Sequence, residues 1–168
     1  MDSVNEHRAY SPESLRFAVI TASDSRSEKD DESGSLIAAM AAGAGHQLVF
    51  RRMSRDEAED IRQSVVIAID EHAADVVVVN GGTGFSARDV SLEAVRPLFI
   101  RPVEGFGEIF RWLSYEQVGA AAMLSRASAG IIASAVVFVV PGSPTAVELA
   151  MAALILPESA HLIGQLRR

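Results

Sequence analysis

Residues 76–93 read Val-Val-Val-Val-Asn-Gly-Gly-Thr-Gly-Phe-Ser-Ala-Arg-Asp-Val-Ser-Leu-Glu. Four β-branched residues run into a glycine turn, Gly81-Gly82-Thr83-Gly84. A strand that ends at such a turn presents bare backbone N–H groups, and these suit phosphate oxygens. Thr83 adds a hydroxyl donor. The same residues also serve a tight strand-to-helix turn with no ligand. Asp89 follows Gly84 by five positions, and Ser91 stands as a helix N-cap. The turn is not the dinucleotide fingerprint Gly-x-Gly-x-x-Gly, because Phe85, Ser86 and Ala87 follow Gly84.

Asp56 and Asp89 are the candidate carboxylates. Two carboxylates beside a nucleotide would hold Mg²⁺, a hard cation that pairs with substrate phosphates. Each also reads as an ordinary helix cap, Asp56 for the helix after the second strand. Ser23-Asp24-Ser25 leaves the first strand as a small polar loop that could grip a ligand or simply be solvated. Pro141-Gly142-Ser143-Pro144 ends a later strand, with Ser143 placed to cap a helix and donate to an anion. Ser125-Arg126 offers a hydroxyl and a guanidinium suited to bidentate phosphate contact; an exposed arginine is more often a solvated surface charge.

These residues need elements to carry them. The hydrophobic fraction of the 168 residues is 49%, enough for one domain with a sizeable core. Strands are expected at 15–23, 46–53 and 75–80. The apolar run Ile131–Val140 reads as one further buried strand. Helices are expected from Gly34 with Ser33 as cap, at 56–72, 92–98, 105–118 and 120–125, and as two C-terminal segments, 145–154 and 157–166. Ile61, Val65, Val66 and Ile69 mark one apolar helix face, and Ile109, Trp112 and Leu113 another. Alternating strands and helices predict an α/β fold: a three-layer αβα sandwich with a mostly parallel sheet over residues 15–168. Residues 1–14 read as a flexible N-terminal extension.

Composition narrows the chemistry. Net charge is −7 and one lysine, Lys29, stands against fourteen arginines. A Gly-x-x-x-x-Gly-Lys phosphate loop is therefore excluded, and a broad nucleic-acid surface is disfavoured. There is no cysteine, so neither disulfides nor thiolate metal sites exist. His7, His46, His72 and His161 show no i, i+4 pairing. No uninterrupted apolar run reaches membrane-spanning length and no signal peptide is read, so the expected setting is cytoplasmic, without a membrane partner. Trp112, near Phe106, Phe110 and Tyr115, reads as core or subunit contact.

Taken together, Ser23-Asp-Ser-Arg26, Ser33-Gly34, Gly81-Gly-Thr-Gly84, Arg88-Asp-Val90, Gly105-Phe-Gly-Glu108, Leu113-Ser-Tyr-Glu116, Met123-Leu-Ser-Arg-Ala127 and Pro141-Gly-Ser-Pro144 resemble the molybdenum cofactor biosynthesis proteins of the MoaB/MogA type. The resemblance spans about Leu15 to Arg168 and is closer to the MoaB branch. It implies a molybdopterin-binding fold. It also implies Mg²⁺-dependent adenylylation of molybdopterin by ATP, with release of pyrophosphate. Asp56 and Asp89 then match the family's carboxylates and Gly81–Gly84 its phosphate turn, with Ser23 or Ser25 matching its first-loop serine. Assembly as a homo-trimer or homo-hexamer is implied too. Three positions depart from the family pattern: Asn80 for Thr, Ser91-Leu92 for Thr-Pro, and Thr145 for the Lys common in the MoaB branch. The alternative is a non-catalytic molybdopterin-binding or assembly protein of the same pathway. A generic nucleotide-binding α/β domain lacks support, having neither a lysine loop nor a dinucleotide fingerprint.

Overall fold

The computed structural model describes residues 11–168. Residues 1–10 of the expected extension lie outside the described residues. Six strands form one sheet in the order β2-β1-β3-β6-β5-β4. They are β1 (Arg16–Ala22), β2 (Gln47–Ser54), β3 (Val76–Asn80), β4 (Arg101–Pro102), β5 (Ser128–Ile132) and β6 (Ala135–Val140). The pairs β1/β2, β1/β3 and β3/β6 are parallel, whereas β5 runs antiparallel to both neighbours.

Helices cover both faces, which is why the central strands are continuously apolar rather than alternating. We label them α1 (Glu32–Gly43), α2 (Ala58–Asp70), α3 (Ser91–Val95), α4 (Glu104–Val118) and α5 (Pro144–Leu166). Phe17, Val19, Val76, Val78, Phe138 and Val140 pack on one face with Ile37, Phe106, Phe110, Met151 and Ile155. Ala18, Ile20, Val77, Val79, Val137 and Val139 pack on the other with Ile61, Val65, Leu92 and Val95. The three-layer αβα sandwich is thus the observed fold.

Several local expectations are corrected. The run Ile131–Val140 is not one strand. It folds at Ala133-Ser134 into an antiparallel hairpin pairing Ile132 with Ala135, and Ala133 takes a positive φ of 50°. No glycine or asparagine announces that turn. The two C-terminal helices are one. A π turn at Met151–Ile155 joins Pro144–Ala150 to Leu156–Leu166, with the Leu156 N–H donating to Met151 O. This wider turn immediately precedes Pro157, whose ring removes a donor and crowds the preceding turn. By length and composition α5 is apolar enough to cross a membrane, although it contains no uninterrupted apolar run of that length. Its Val147, Ala150, Met151, Ile155 and Ile163 are fully buried in the sheet-facing core.

Asp31, not Ser33, caps α1: its carboxylate accepts from the Gly34 N–H at 2.9 Å. On α2, Val66 is exposed while Ile61, Val65 and Ile69 are buried. On α4, the buried face is Phe106, Gly107, Phe110 and Ser114. Ile109 and Trp112, expected on the packed side, are exposed.

At the sheet's amino end Asp75 anchors the chain ends. It accepts from the Arg16 N–H and guanidinium, both at 2.9 Å, and from Arg167 at 2.7 Å. Burial pushes the Asp75 carboxyl up, but hydrogen bonds from Arg16 and the charges of Arg16 and Arg167 outweigh it and hold the pKa below the ordinary value. A depressed folded pKa stabilises the fold above the unfolded carboxyl value of about 3.9 and stops doing so as pH falls through the lower folded value. Asp75→Asn is therefore expected to flatten the acid limb of a Tm-against-pH curve below about pH 4. An identical acid limb in variant and wild type would contradict this.

Candidate functional site

The sheet order places the carboxyl ends of β1, β3 and β6 side by side. Strand order reverses at β1, where parallel α/β sheets open a crevice. Here three loops meet: Ser23 onward, Gly81 onward and Pro141 onward. They meet at backbone distance. A Cβ on Gly81 would lie 2.4 Å from Ala22 O, and one on Gly142 would lie 2.9 Å from the Gly81 Cα. Gly81 also holds φ at +90°. Glycine is required at both positions, by close approach at each and additionally by backbone conformation at Gly81.

A cleft of about 340 Å³ opens among these loops. Ser23, Ser25, Gly81, Gly82, Thr83, Gly84, Asp89, Gly142 and Ser143 line it, all of them expected from the sequence. Thr21 and Arg26, not expected as site residues, also line it, as does Asn80, which the resemblance marks only as a departure. Arg26 stood within the quoted Ser-Asp-Ser-Arg motif, and Asn80 was the single polar residue of an otherwise aliphatic strand; those were the available signals. Thr83, Gly84 and Ser143 are shared with an adjoining, largely apolar cavity of about 330 Å³. Ser125, Pro141 and Thr145 line that second cavity, with Phe110, Leu124 and Leu149. Pro144 lines neither and serves as the first residue of α5. Ser143 caps α5 as expected, accepting from the Ala146 N–H at 3.3 Å.

The glycine turn is held from behind. The Ser91 hydroxyl donates to Gly81 O at 2.7 Å and the Ser91 N–H to Gly82 O at 3.0 Å. Ser91 is therefore a staple on the turn and not the helix cap expected; Val90 occupies the cap position without a side-chain bond. Among the described residues, the Gly82 and Thr83 N–H groups donate to no protein acceptor. These are the bare donors an anion site needs.

Neither candidate carboxylate caps a helix. Asp89 accepts from the Ser86 N–H at 2.9 Å and closes the loop upon itself. Bonds from Ser86, assisted by the Gly84 amide and the charge of Arg126, hold its pKa below the ordinary value despite partial burial. Asp56 and Asp24 exchange backbone bonds, each N–H donating to the other's carboxylate at 3.0 Å. The second Asp56 oxygen faces Gly82, 3.3 Å from where a Cβ would stand. Burial, with the like charges of Asp24 and Asp89, raises the Asp56 pKa. Asp24 is shifted down by the Asp56 amide and by its ion pair with Arg88. Asp24 and Asp56 thus form the rim behind the turn, and Asp89 faces the cleft.

Beneath the cleft runs a buried polar chain that the sequence did not single out. Asn80 Nδ2 donates to Thr21 Oγ1 at 2.9 Å, and the Thr21 hydroxyl donates to Asp31 Oδ2 at 2.9 Å. Arg51 donates to the same Asp31 oxygen at 2.9 Å. The Asn80 Oδ1 atom is buried without a partner. Above this chain, the Ser33 hydroxyl donates to Gly142 O at 2.8 Å and so ties α1 to the Pro-Gly-Ser-Pro loop.

Comparison with known proteins gives a consistent answer. A family described as "Probable molybdopterin binding domain" matches residues 18–161. The chain is 45% identical over 167 residues to molybdenum cofactor biosynthesis protein B of Bacillus subtilis, covering 99% of this chain and 98% of that one. A crystal structure of a molybdenum cofactor biosynthesis protein B superposes with a TM-score of 0.90 at 45% identity, over 94% of this chain and 98% of the other. The tungsten cofactor synthesizing protein MoaB from Pyrococcus furiosus superposes with a TM-score of 0.85 at 38% identity, over 94% and 99% of the two chains.

Proposed function

Since this chain belongs to the molybdenum cofactor biosynthesis family of MoaB/MogA type, we propose that its cleft binds molybdopterin and adenylylates it with Mg-ATP. The observation that carries this reading is the pairing of two different cavities at one glycine turn. The polar cleft offers bare amides to phosphates and Asp89 to the cation that accompanies them. The neighbouring cavity offers Phe110, Leu124, Leu149 and Pro141 to a flat ring system. A ligand with a ring at one end and a phosphate at the other spans both through Thr83, Gly84 and Ser143.

In the proposed reaction a terminal phosphate oxygen of molybdopterin attacks the α-phosphorus of ATP. A new P–O–P linkage forms, the bond to the β-phosphate oxygen breaks, and pyrophosphate leaves with the electron pair. No protein nucleophile is required. The chain supplies positioning and charge complementarity, which dominate phosphoryl-type transfer. The turn amides of Gly82 and Thr83 hold phosphate oxygens, and Arg26 brings a guanidinium to the same wall.

Mg²⁺ arriving with the nucleotide would neutralise phosphate charge, with Asp89, which lines the cleft, as its protein ligand and with Asp56 lending its charge from behind the turn. The donor set suits it: Asp89 offers a hard oxygen ligand, and Asp56, whose pKa burial raises first and the like charges of Asp24 and Asp89 raise further, is a carboxyl that a nearby cation would help to ionise. Among the described residues no group of three His, Cys, Asp or Glu is arranged as a metal cage. Mg²⁺ commonly takes only one or two carboxylates plus substrate phosphates, so this arrangement is compatible with the reading.

An adenylylation assay with purified molybdopterin and ATP tests it. Pyrophosphate release is expected with Mg²⁺ and is expected to vanish when the cation is chelated, while molybdopterin binding persists. Binding with no pyrophosphate release at any Mg²⁺ concentration would favour the second reading, a non-catalytic binding or assembly protein. That reading draws on Thr145, which places a hydroxyl where a cationic residue would otherwise reach the cavity. The proposal also includes a homo-trimer or homo-hexamer, since Ile109, Trp112, Tyr115, Val118, Met123 and Leu124 form an exposed apolar series along α4 and the segment after it.

A further inference from the structure

Arg126 is the side chain that holds the glycine turn and the loop carrying Asp89 in one place. It enters from the segment between α4 and β5, and its side chain is 24% exposed. Its Nε donates to Thr83 O at 3.0 Å, inside the glycine turn. Its Nη2 donates to Asp89 O at 2.9 Å. Its Nη1 is paired with Glu93 at the start of α3. The Phe85 ring lies 5.3 Å from the guanidinium carbon and covers its face. One planar fork therefore reaches the turn, the carboxylate's own backbone and the next helix. The guanidinium is committed to carbonyls, so it is not free to hold a substrate phosphate.

Beyond the exposed Arg88–Asp24 ion pair at its tip, few other bonds restrain this loop. Ser86 to Arg88 are exposed, and the loop's internal bonds are the short-range ones from Ser86 and Arg88. Ser91 fixes Gly81 and Gly82 but not Thr83 or Asp89. Arg126 and Glu93 also wall a separate cavity of about 610 Å³ that no residue of the 81–90 loop lines.

We propose that Arg126 is a positioning residue of the adenylylation site, setting the Thr83 amide and the Asp89 carboxylate at the spacing the reaction needs by clamping the two backbone carbonyls. This rests on the proposed reaction for its kinetic consequence, but the clamp itself does not. The geometry requires arginine. A lysine would keep the charge but offers a point donor, which cannot reproduce the fork that reaches both carbonyls and Glu93.

The test compares Arg126→Ala, Arg126→Lys and Glu93→Gln with the wild-type chain by two readouts. The first is backbone amide hydrogen exchange resolved along the sequence. Arg126→Ala is expected to speed exchange at the hydrogen-bonded amides of Ser86, Arg88 and Asp89 by about tenfold or more while β1, β3 and α5 exchange as in wild type. The second is steady-state kinetics. Misplacing catalytic groups by a fraction of an ångström should lower kcat by roughly 30- to 100-fold, while KM for molybdopterin moves less than about threefold. Arg126→Lys should lose most of kcat as well. Glu93→Gln keeps both carbonyl bonds and should stay within about threefold of wild type.

Unchanged exchange at Ser86, Arg88 and Asp89 in Arg126→Ala overturns the clamp, as does a fully active Arg126→Lys. Accelerated exchange spread over the whole chain overturns it in favour of a general stabilising role. Should Arg126→Ala fail to fold, Arg126→Lys carries both readouts. If the wild-type chain shows no turnover, the reaction is refuted and the exchange result alone judges the clamp.

Discussion

Asp89→Asn is expected to lower adenylylation turnover by roughly 10²- to 10³-fold while changing the molybdopterin Kd less than about threefold. The substitution removes the charge and one of the two acceptor oxygens. An asparagine oxygen can still accept from the Ser86 N–H that now binds the carboxylate at 2.9 Å, so the loop keeps its closure. What is lost is an anionic oxygen beside the turn that lines the cleft. That oxygen is proposed to hold the nucleotide's cation and to matter most as charge develops on the departing pyrophosphate. The pterin ring, by contrast, is proposed to sit in the cavity lined by Phe110, Pro141 and Leu149, which does not include Asp89. Parallel measurements of kcat and of molybdopterin binding by calorimetry check the split. Turnover within threefold of wild type would remove Asp89 from the chemistry.

The largest stability effect is expected at Asp31. The residue is 1% exposed, yet its carboxylate serves three partners at once: the Gly34 N–H of α1, the Thr21 hydroxyl of β1 and Arg51 of β2. Asp31→Ala removes a helix cap, orphans a buried hydroxyl and leaves a partly buried guanidinium unpaired. Losing one partner of a fully buried pair costs about 3–5 kcal/mol. Arg51 is a third exposed and recovers part of that from water, so a net loss of about 2–3 kcal/mol is the expected result. For a chain of this length that lowers Tm by roughly 5–10 °C. Urea denaturation should show a lower midpoint with an unchanged slope. A Tm within about one degree of wild type would show that the carboxylate is dispensable. Asp31→Asn should fall between the two, because it can still cap α1.

Asp31 is not legible in the sequence as a buried anchor. It lies in a run of charged residues, Glu28 to Glu32, that reads as a solvated loop. Burial is decided by Arg51 and Thr21, which come from two neighbouring strands and lie far from it or on the other side of a turn. Arg126 is illegible as a clamp for the same reason, since its partners Thr83, Asp89 and Glu93 precede it by more than thirty positions. Ser91 and Asp56 were read as helix caps because local sequence offers them that role. Tertiary contacts offer better ones, the Gly81 carbonyl to Ser91 and the Asp24 amide to Asp56.

Other features were legible because their physics is local. The β-branched run before Gly81, the prolines around Gly142-Ser143 and the alternation of apolar strands with amphipathic helices each constrain their own backbone. They determined the αβα sandwich, the three loops and most of the cleft's lining. Tertiary structure alone decided which loops touch, because the order β2-β1-β3-β6 depends on crossovers and not on sequence neighbours. It decided that Ile131–Val140 turns back on itself and that α5 passes through Pro157 unbroken. It also decided how the carboxylates are divided, with Asp89 facing the cleft and Asp56 held behind the turn. Their charges and bonds come from partners that only folding brings within reach.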